Sequence, residues 1–187
     1  MTIGVLALQG DFEKHEAILT RLGVASRQVR KPSDLDSVDA LILPGGESTT
    51  IGKLMVRYGL DCAIQQRVAH GMPVYGTCAG MILMARAIVG SDQPRLGLMD
   101  IAVLRNAFGS QRESFEVDLP FEPFERPVRA IFIRAPIVVE VGAGVSVLSR
   151  LEDKVVAVQQ GALLATAFHP ELTDDARVHH YFLEQVK

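Results

Sequence analysis

Cys78 stands in "GTCAG", residues 76 to 80, where an apolar run with strand character stops and one with helix character begins. That context has the form of the G-x-S-x-G nucleophile elbow, with sulfur in place of the hydroxyl. In such a bend the nucleophile takes a strained backbone position and the residues two away crowd the turn, which accounts for Gly76 and Gly80. A helix starting beneath the sulfur favours thiolate over thiol, and the N–H of Ala79 points where an oxyanion would form. A buried, inert cysteine fits the same five residues, so the chemistry depends on partners: a base for the thiol's proton and a third group to orient that base. "FHPEL" near the C-terminus offers both. His169 and Glu171 flank Pro170 directly after an apolar run. In extended chain such residues project to one side, and the proline restricts the residue before it to extended conformations. The remaining histidines, His15, His70, His179 and His180, fall in helical segments or at their ends and read as surface or packing residues.

A second glycine turn, "LILPGGESTT", follows another apolar strand. A phosphate loop is its obvious rival, but that pattern puts a glycine five positions before a Gly-Lys pair. Gly52-Lys53 would require it at Glu47, and Leu54 stands where Ser or Thr is needed. The turn is better explained by close approach of backbone N–H groups to a ligand, with Gly46 giving a second oxyanion donor. An ordinary turn before a helix capped by Ser48 is compatible with this.

The elements that must hold these groups alternate in the first half. "TIGVLAL" reads as a buried strand, and "DFEKHEAILTRLG" as a helix with Asp11 at its N-cap and Gly23 at its stop. "VASRQVR" and "VDALILP" follow as strands, "STTIGKLMVRYG" and "LDCAIQQRVAHG" as helices, then "PVYGT" as a strand and a helix from Ala79. Continuous apolar strands separated by helices predict a parallel sheet covered on both faces. The second half is strand-rich ("GLMDIAVLR", "SFEVDL", "VRAIFIRA", "VSVLSRL", "KVVAVQQG", "LLATAFHP"), predicting antiparallel additions, and "DDARVHHYFLEQV" closes as an amphipathic helix. The expected fold is therefore α/β: three layers around a mostly parallel central sheet, with antiparallel strands added late, in a single domain over residues 1–187.

Composition excludes other classes. Hydrophobic residues make up 48% and charged ones 22%, the balance of a globular protein. The net charge of −3 is spread along the chain without a basic cluster, which argues against nucleic acid as a partner. The two cysteines, Cys62 and Cys78, lack metal-ligand spacing and are too few for a disulfide scaffold, so no metal is expected and a reducing compartment is. No positively charged leader precedes an apolar stretch and no run reaches membrane-spanning length, so the expected location is cytoplasmic.

With "LILPGGEST", "YGTCAGMILMA" and "FHPEL" in this order, the chain resembles the class I, triad-type glutamine amidotransferases, a flavodoxin-like group. "GVLALQGDFEKH", "LPGGESTTIGKL", "RNAFGSQRESFE", "FIRAP" and "AFHPELTDDARVHHYF" bring it closest to the glutaminase subunits of pyridoxal 5'-phosphate synthase, over nearly its whole length. The resemblance implies hydrolysis of L-glutamine to L-glutamate and ammonia through a glutamyl thioester, without a cofactor. The ammonia would pass to a (β/α)8-barrel synthase subunit in a hetero-oligomer. It further implies Cys78 as nucleophile, His169 as general acid/base, Glu171 as its orienter, and Gly46 and Ala79 as oxyanion donors. Gly45, Gly46, Glu47, Arg105, Ile133 and Arg134 would bind glutamine. The same triad serving another synthase, a stand-alone γ-glutamyl or amide hydrolase, and a non-catalytic interaction module are the competing readings.

Overall fold

A computed structural model describes residues 1–108 and 114–186. Residues 109–113 of the "RNAFGSQRESFE" segment, and residue 187, lie outside the described residues. The chain runs β1 (Thr2–Leu6), α1 (Phe12–Arg21), β2 (Ala25–Val29), a 3-10 segment (Pro32–Ser37), β3 (Ala40–Leu43), α2 (Ser48–Tyr58), α3 (Leu60–Ala69), β4 (Val74–Thr77), α4 (Ala79–Met84) and β5 (Ala85–Ile88). It continues through β6 (Met99–Leu104), β7 (Ser114–Leu119), β8 (Val128–Ile133), β9 (Ile137–Val141), β10 (Ser146–Leu151), β11 (Lys154–Gln160), β12 (Leu163–Thr166), a 3-10 turn (Pro170–Leu172) and α5 (Arg177–Leu183).

The main sheet has the order β2-β1-β3-β4-β12-β11-β9-β6-β5, with β10 paired to β11. From β2 to β12 every pairing is parallel. β3 and β4 are buried along their whole length, so their apolar residues run without alternation. Adjacent residues of β4 show the layering. Tyr75 packs against His179 and Phe182 of α5, whereas a Cβ on Gly76 would meet Gly80 and Met84 of α4. Because neighbouring strand residues point to opposite faces, α5 and α4 cover opposite sides of the sheet.

Four features differ from the sequence-based expectation. β12 was expected among antiparallel additions, yet it is antiparallel only to β11 and joins β4 in parallel, with Thr166 opposite Thr77. The tight return at Gly161 (φ 58) reverses the chain after β11 and delivers β12 to the open edge of β4. β7 and β8 pair with each other in a separate two-stranded sheet rather than extending the main one. The apolar run after Cys78 is helical only to Met84, then turns extended at Ala85 (φ −64, ψ 144) to form β5 beside β6, a strand absent from the sequence reading. Also absent from it is β9, which pairs with β6 and β11.

The parallel β4–β12 register positions the site. Thr166 and Thr77 are partners, and the Cys78 N–H donates to the Thr166 carbonyl at 2.8 Å. Cys78 therefore lies one residue beyond one strand end and His169 three beyond its neighbour. β8 fixes the second of these, its Ile131 carbonyl accepting from the His169 N–H at 2.8 Å.

Close backbone contact makes two glycines of the elbow irreplaceable. A Cβ on Gly80 would lie 2.1 Å from the Leu43 carbonyl oxygen, and one on Gly76 2.6 Å from the Gly80 carbonyl carbon. Gly23, in contrast, has φ 70 and nothing within 4 Å of a built Cβ, so a side chain there meets only left-handed strain. Gly80→Ala is expected to cost about 3 kcal/mol or more of unfolding free energy, and Gly23→Ala about 1 kcal/mol, both read from urea denaturation midpoints. Equal costs for the two would mean that the elbow yields to accommodate a methyl group.

Candidate active site

Cys78 adopts φ 48, ψ −100 immediately before α4. This left-handed conformation is costly for a side-chain-bearing residue and turns the thiol out of the sheet. The residue is 7% exposed, and its Sγ donates weakly to the Ile133 carbonyl at 3.8 Å. Asn106 (φ 50) and Arg134 (φ 44) share the unusual conformation, and all three line one cavity of about 300 Å³. Their loops are joined by the Ala107 N–H donating to the Ala135 carbonyl at 3.1 Å. Three of the four described non-glycine residues with positive φ thus gather around one opening, the fourth, Glu152, lying in the turn between β10 and β11.

That opening lies at the carboxyl ends of β1, β3, β4 and β12, where the strand order reverses between β2-β1 and β1-β3 and open α/β sheets bind ligands. Gln9 and Asp11 reach it from beyond β1, Gly46, Glu47 and Ser48 from beyond β3, and Cys78 and Ile82 from the elbow. Arg105 and Asn106 enter from β6, Ile133 and Arg134 from β8, and His169 from β12.

Beneath the thiol, His169 Nδ1 donates to Glu171 Oε1 at 2.7 Å, both side chains being almost completely buried. The pairing matches the sequence expectation but not its backbone. His169 (φ −110, ψ 83) precedes a 3-10 turn that contains Glu171, so the carboxylate comes under the ring by helical winding rather than by extended alternation. Proline at the first position of that turn lacks an N–H that would find no partner there, and its fixed φ suits the start. Burial disfavours the imidazolium of His169. Hydrogen bonds to Cys78 and Glu171, and the charges of both, outweigh it and raise the ring to about 10. Burial likewise opposes ionisation of Glu171, but its interactions with His15 and then His169 hold it well below the usual carboxylate range.

The glycine turn is built around the same ring. A Cβ on Gly45 would lie 2.4 Å from His169 Cε1, so only glycine leaves the imidazole its place. Gly45 itself points away from the cavity, its N–H donating to Thr77 Oγ1 (3.1 Å) and its carbonyl accepting from the Asp11 N–H (3.1 Å). Gly46 and Glu47 form the wall. Glu47, not Ser48, caps α2: its carboxylate accepts from the Thr49 and Thr50 N–H groups at 3.1 and 2.7 Å. Ala79 is wholly buried as the first residue of α4.

Arg105 is held over the cavity by a residue the sequence reading passed over. Gln93 Oε1 accepts from Arg105 Nη1 at 2.6 Å and also from the hydroxyls of Thr49 and Ser48. Glu47 lies 3.6 Å from the other guanidinium nitrogen. His15, Thr77 and His179 were missed as well, although they support Glu171 from behind. They come from α1, β4 and α5, so no local spacing connects them. Among the described residues one trio, Asp11, His169 and Glu171, could each offer a metal a ligand atom within 4.8 Å of the others. The mutual hydrogen bond of His169 and Glu171 suits the trio to handling protons instead. No described helix is long and apolar enough to cross a membrane.

Because the His169 pKa in the folded state lies above its unfolded value, that ring's contribution to stability is complete below the ordinary histidine range and lost as pH rises through about 10. The depressed Glu171 carboxyl contributes only above the ordinary carboxylate range, so the pair's contribution is fullest between the two. Glu171→Gln removes the carboxylate's charge, so the His169 ring should lose its proton at a lower pH than in the unaltered chain. Nitrogen-15 NMR titration of labelled histidine checks this, and an unmoved titration would dissociate the carboxylate from the ring.

The geometry agrees with what the chain is similar to. The model of the SNO glutamine amidotransferase family matches residues 5–187. A Pelotomaculum thermopropionicum protein named pyridoxal 5'-phosphate synthase subunit PdxT is 58% identical over 99% of this chain and 95% of its own. A protein of the same name from Roseiflexus castenholzii is 57% identical over 98% of this chain and 100% of its own. A solved structure described as a glutamine amidotransferase superposes with a TM-score of 0.95 at 53% identity, covering 98% of each chain. At 18% identity, a chain of the Thermotoga maritima PurLQS structure shares the fold, with a TM-score of 0.69 over 99% of this chain and 96% of its own. With a family match nearly as long as the chain and a cysteine elbow set over a buried His–Glu pair, this protein belongs to the SNO glutamine amidotransferase family.

Proposed function

We propose that residues 1–187 form one glutaminase domain that hydrolyses L-glutamine to L-glutamate and ammonia and supplies the ammonia to a partner that makes pyridoxal 5'-phosphate. The observation that carries this reading is the strained Cys78 above the 2.7 Å His169–Glu171 hydrogen bond, in a chain more than half identical to named synthase subunits.

In the proposed cycle the Cys78 thiolate attacks the side-chain amide carbon of glutamine, and the N–H groups of Gly46 and Ala79 stabilise the resulting oxyanion. The tetrahedral adduct collapses with cleavage of the C–N bond, His169 giving its proton to the departing ammonia and a glutamyl thioester remaining on Cys78. Water then adds to the thioester carbonyl, its proton taken by His169, and cleavage of the C–S bond releases glutamate and restores the sulfur. Glu171 stays ionised and holds the imidazole in its Nδ1–H form, leaving Nε2 for the substrate's proton.

Glutamine's α-carboxylate and α-ammonium need opposite partners, and the cavity wall offers them. Arg105 and Arg134 suit the carboxylate, and Glu47 with the backbone of Gly46 and Ile133 suits the ammonium end, while Gly45, turned away from the cavity, shapes this wall from behind. The proposed recipient of ammonia is a (β/α)8-barrel synthase subunit in a hetero-oligomer. Two cysteines without a disulfide fit a reducing, cytoplasmic setting.

Glutamate release from glutamine, measured with the synthase partner present, tests the reading. Cys78→Ala should lose at least about a thousandfold in kcat, and retained activity would remove the sulfur from the chemistry. Arg105→Ala should raise KM for glutamine by about tenfold or more with a smaller change in kcat, as expected for loss of a charge-assisted hydrogen bond to substrate. A change confined to kcat would instead place Arg105 at the reacting carbon.

A further inference from the structure

Behind the proposed triad lies a polar cluster that the cycle does not use. His15 of α1 and His179 of α5 are both fully buried, their rings 5.1 Å apart, with His15 Nδ1 2.9 Å from His179 Nε2. The other nitrogen of His15 lies 3.2 Å from Thr77 Oγ1 and 3.5 Å from Glu171 Oε1. Thr77 in turn donates to Glu171 Oε1 at 3.3 Å and accepts from the Gly45 N–H. His179 Nδ1 is buried with no hydrogen-bond partner among the described residues.

These contacts permit one economical placement of protons. If His15 carried its proton on Nδ1, His179 would have to accept at Nε2 and keep its own proton on Nδ1, leaving a buried N–H with no acceptor. A lone pair on His15 Nε2 would then face the Glu171 carboxylate. With the proton on His179 Nε2 both faults vanish: His179 donates to His15 Nδ1, His15 Nε2–H donates to Thr77, and Thr77 donates to Glu171. Every bond then runs toward the carboxylate. A positively charged His15 would attract Glu171 more strongly, but its Nδ1–H would again force the His179 proton into the unpartnered position.

We propose that His15, fixed in its neutral Nε2–H form by His179, is a positioning residue that holds the Glu171 carboxylate through Thr77. This role rests on the glutaminase reading. A neutral donor steadies the carboxylate without cancelling its charge, so that charge acts on His169. Burial supports the neutral state of the lock itself. It is the largest cause holding the His179 ring below the ordinary histidine range. The groups facing the pair are Glu171 on the 3-10 turn, Tyr75 and Thr77 on β4, and Arg21 on α1, whose charge further disfavours a second proton on His179.

Nitrogen-15 NMR of histidine-labelled protein reads the protons directly and does not depend on turnover. Near neutral pH both His15 and His179 should show protonated Nε2 and bare Nδ1, and an Nδ1–H or imidazolium form of His15 would overturn the proposal. In the complex with the synthase partner, His15→Leu should lower kcat about 10- to 100-fold, the range for loss of a group supporting a site residue, with KM for glutamine within about twofold. The acid limb of kcat should move to higher pH, since the Thr77 hydroxyl that favours the ionised form of Glu171 loses the donor that orients it. His179→Gln, whose amide can donate to His15 Nδ1, should retain more activity than His179→Leu. A His15→Leu effect confined to KM, an unmoved acid limb, or equal impairment by the two His179 variants would each reduce the pair to packing. Absence of glutamate release from the unaltered complex would instead refute the glutaminase reading and leave the tautomer result standing.

Discussion

A carboxylate buried without access to water is the constraint around which the molecule is arranged. Glu171 can only accept hydrogen bonds while ionised, and an unpaired charge in such a place would be prohibitively costly. Its Oε1 lies within reach of His169, Thr77 and His15, whereas Oε2 has no partner among the described residues. The compensation therefore falls on one oxygen, the one facing the catalytic-type imidazole. Its neighbours come from α1, from β4 and from the residue preceding the 3-10 turn. None of these elements can shift without exposing or orphaning the charge.

The same demand explains why the surrounding backbone is so closely interlocked. Gly45 must lack a side chain because the His169 ring occupies that space, and Gly10 must lack one because the Gly45 carbonyl does, 1.9 Å from where its Cβ would be. Gly80 lies equally tight against Leu43. The loops after β1, β3 and β4 consequently fit as a set, and Thr77 ties them to the carboxylate by accepting from Gly45 and donating to Glu171. Strained residues persist only where surroundings over-determine them. Cys78, Asn106 and Arg134 are of that kind, and each sits on the cavity wall beside this interlocked layer.

What the sequence revealed follows from how local each feature is. The elbow was legible because its glycines and cysteine answer to sterics within five residues, and the built Cβ distances bear out that reasoning. The proximity of His169 and Glu171 was legible too, although the reason offered, alternation in extended chain, gave way to a 3-10 turn, since a proline can begin such a turn as readily as it can extend a strand. Strand partners were less accessible. Nothing within "LLATAF" states that it pairs in parallel with a strand some ninety residues earlier, because register is settled by burial of both faces in the assembled sheet. His15 and His179 were read as surface or packing residues for a similar reason. A histidine on an amphipathic helix carries no sign of what it meets, and only the assembled layers bring two of them nose to nose beneath β4.

The burial of the network is uneven, and the unevenness has chemical meaning. At one end the His169 ring borders the cavity with Cys78; at the other, His179 is sealed beside Tyr75 and Phe182. A proton leaving the sealed end would have to charge or strip a group that burial holds neutral, whereas His169 lines the cavity, where a bound substrate can meet its ring. Tyr75 reinforces this closure. Burial, and then the Glu171 charge, raise its hydroxyl well above the usual tyrosine range, so it stays protonated against Thr166. Proton traffic is thereby confined to the rim of the sheet, where the thiol and the leaving nitrogen would meet, and the interior serves to fix charge rather than to move it.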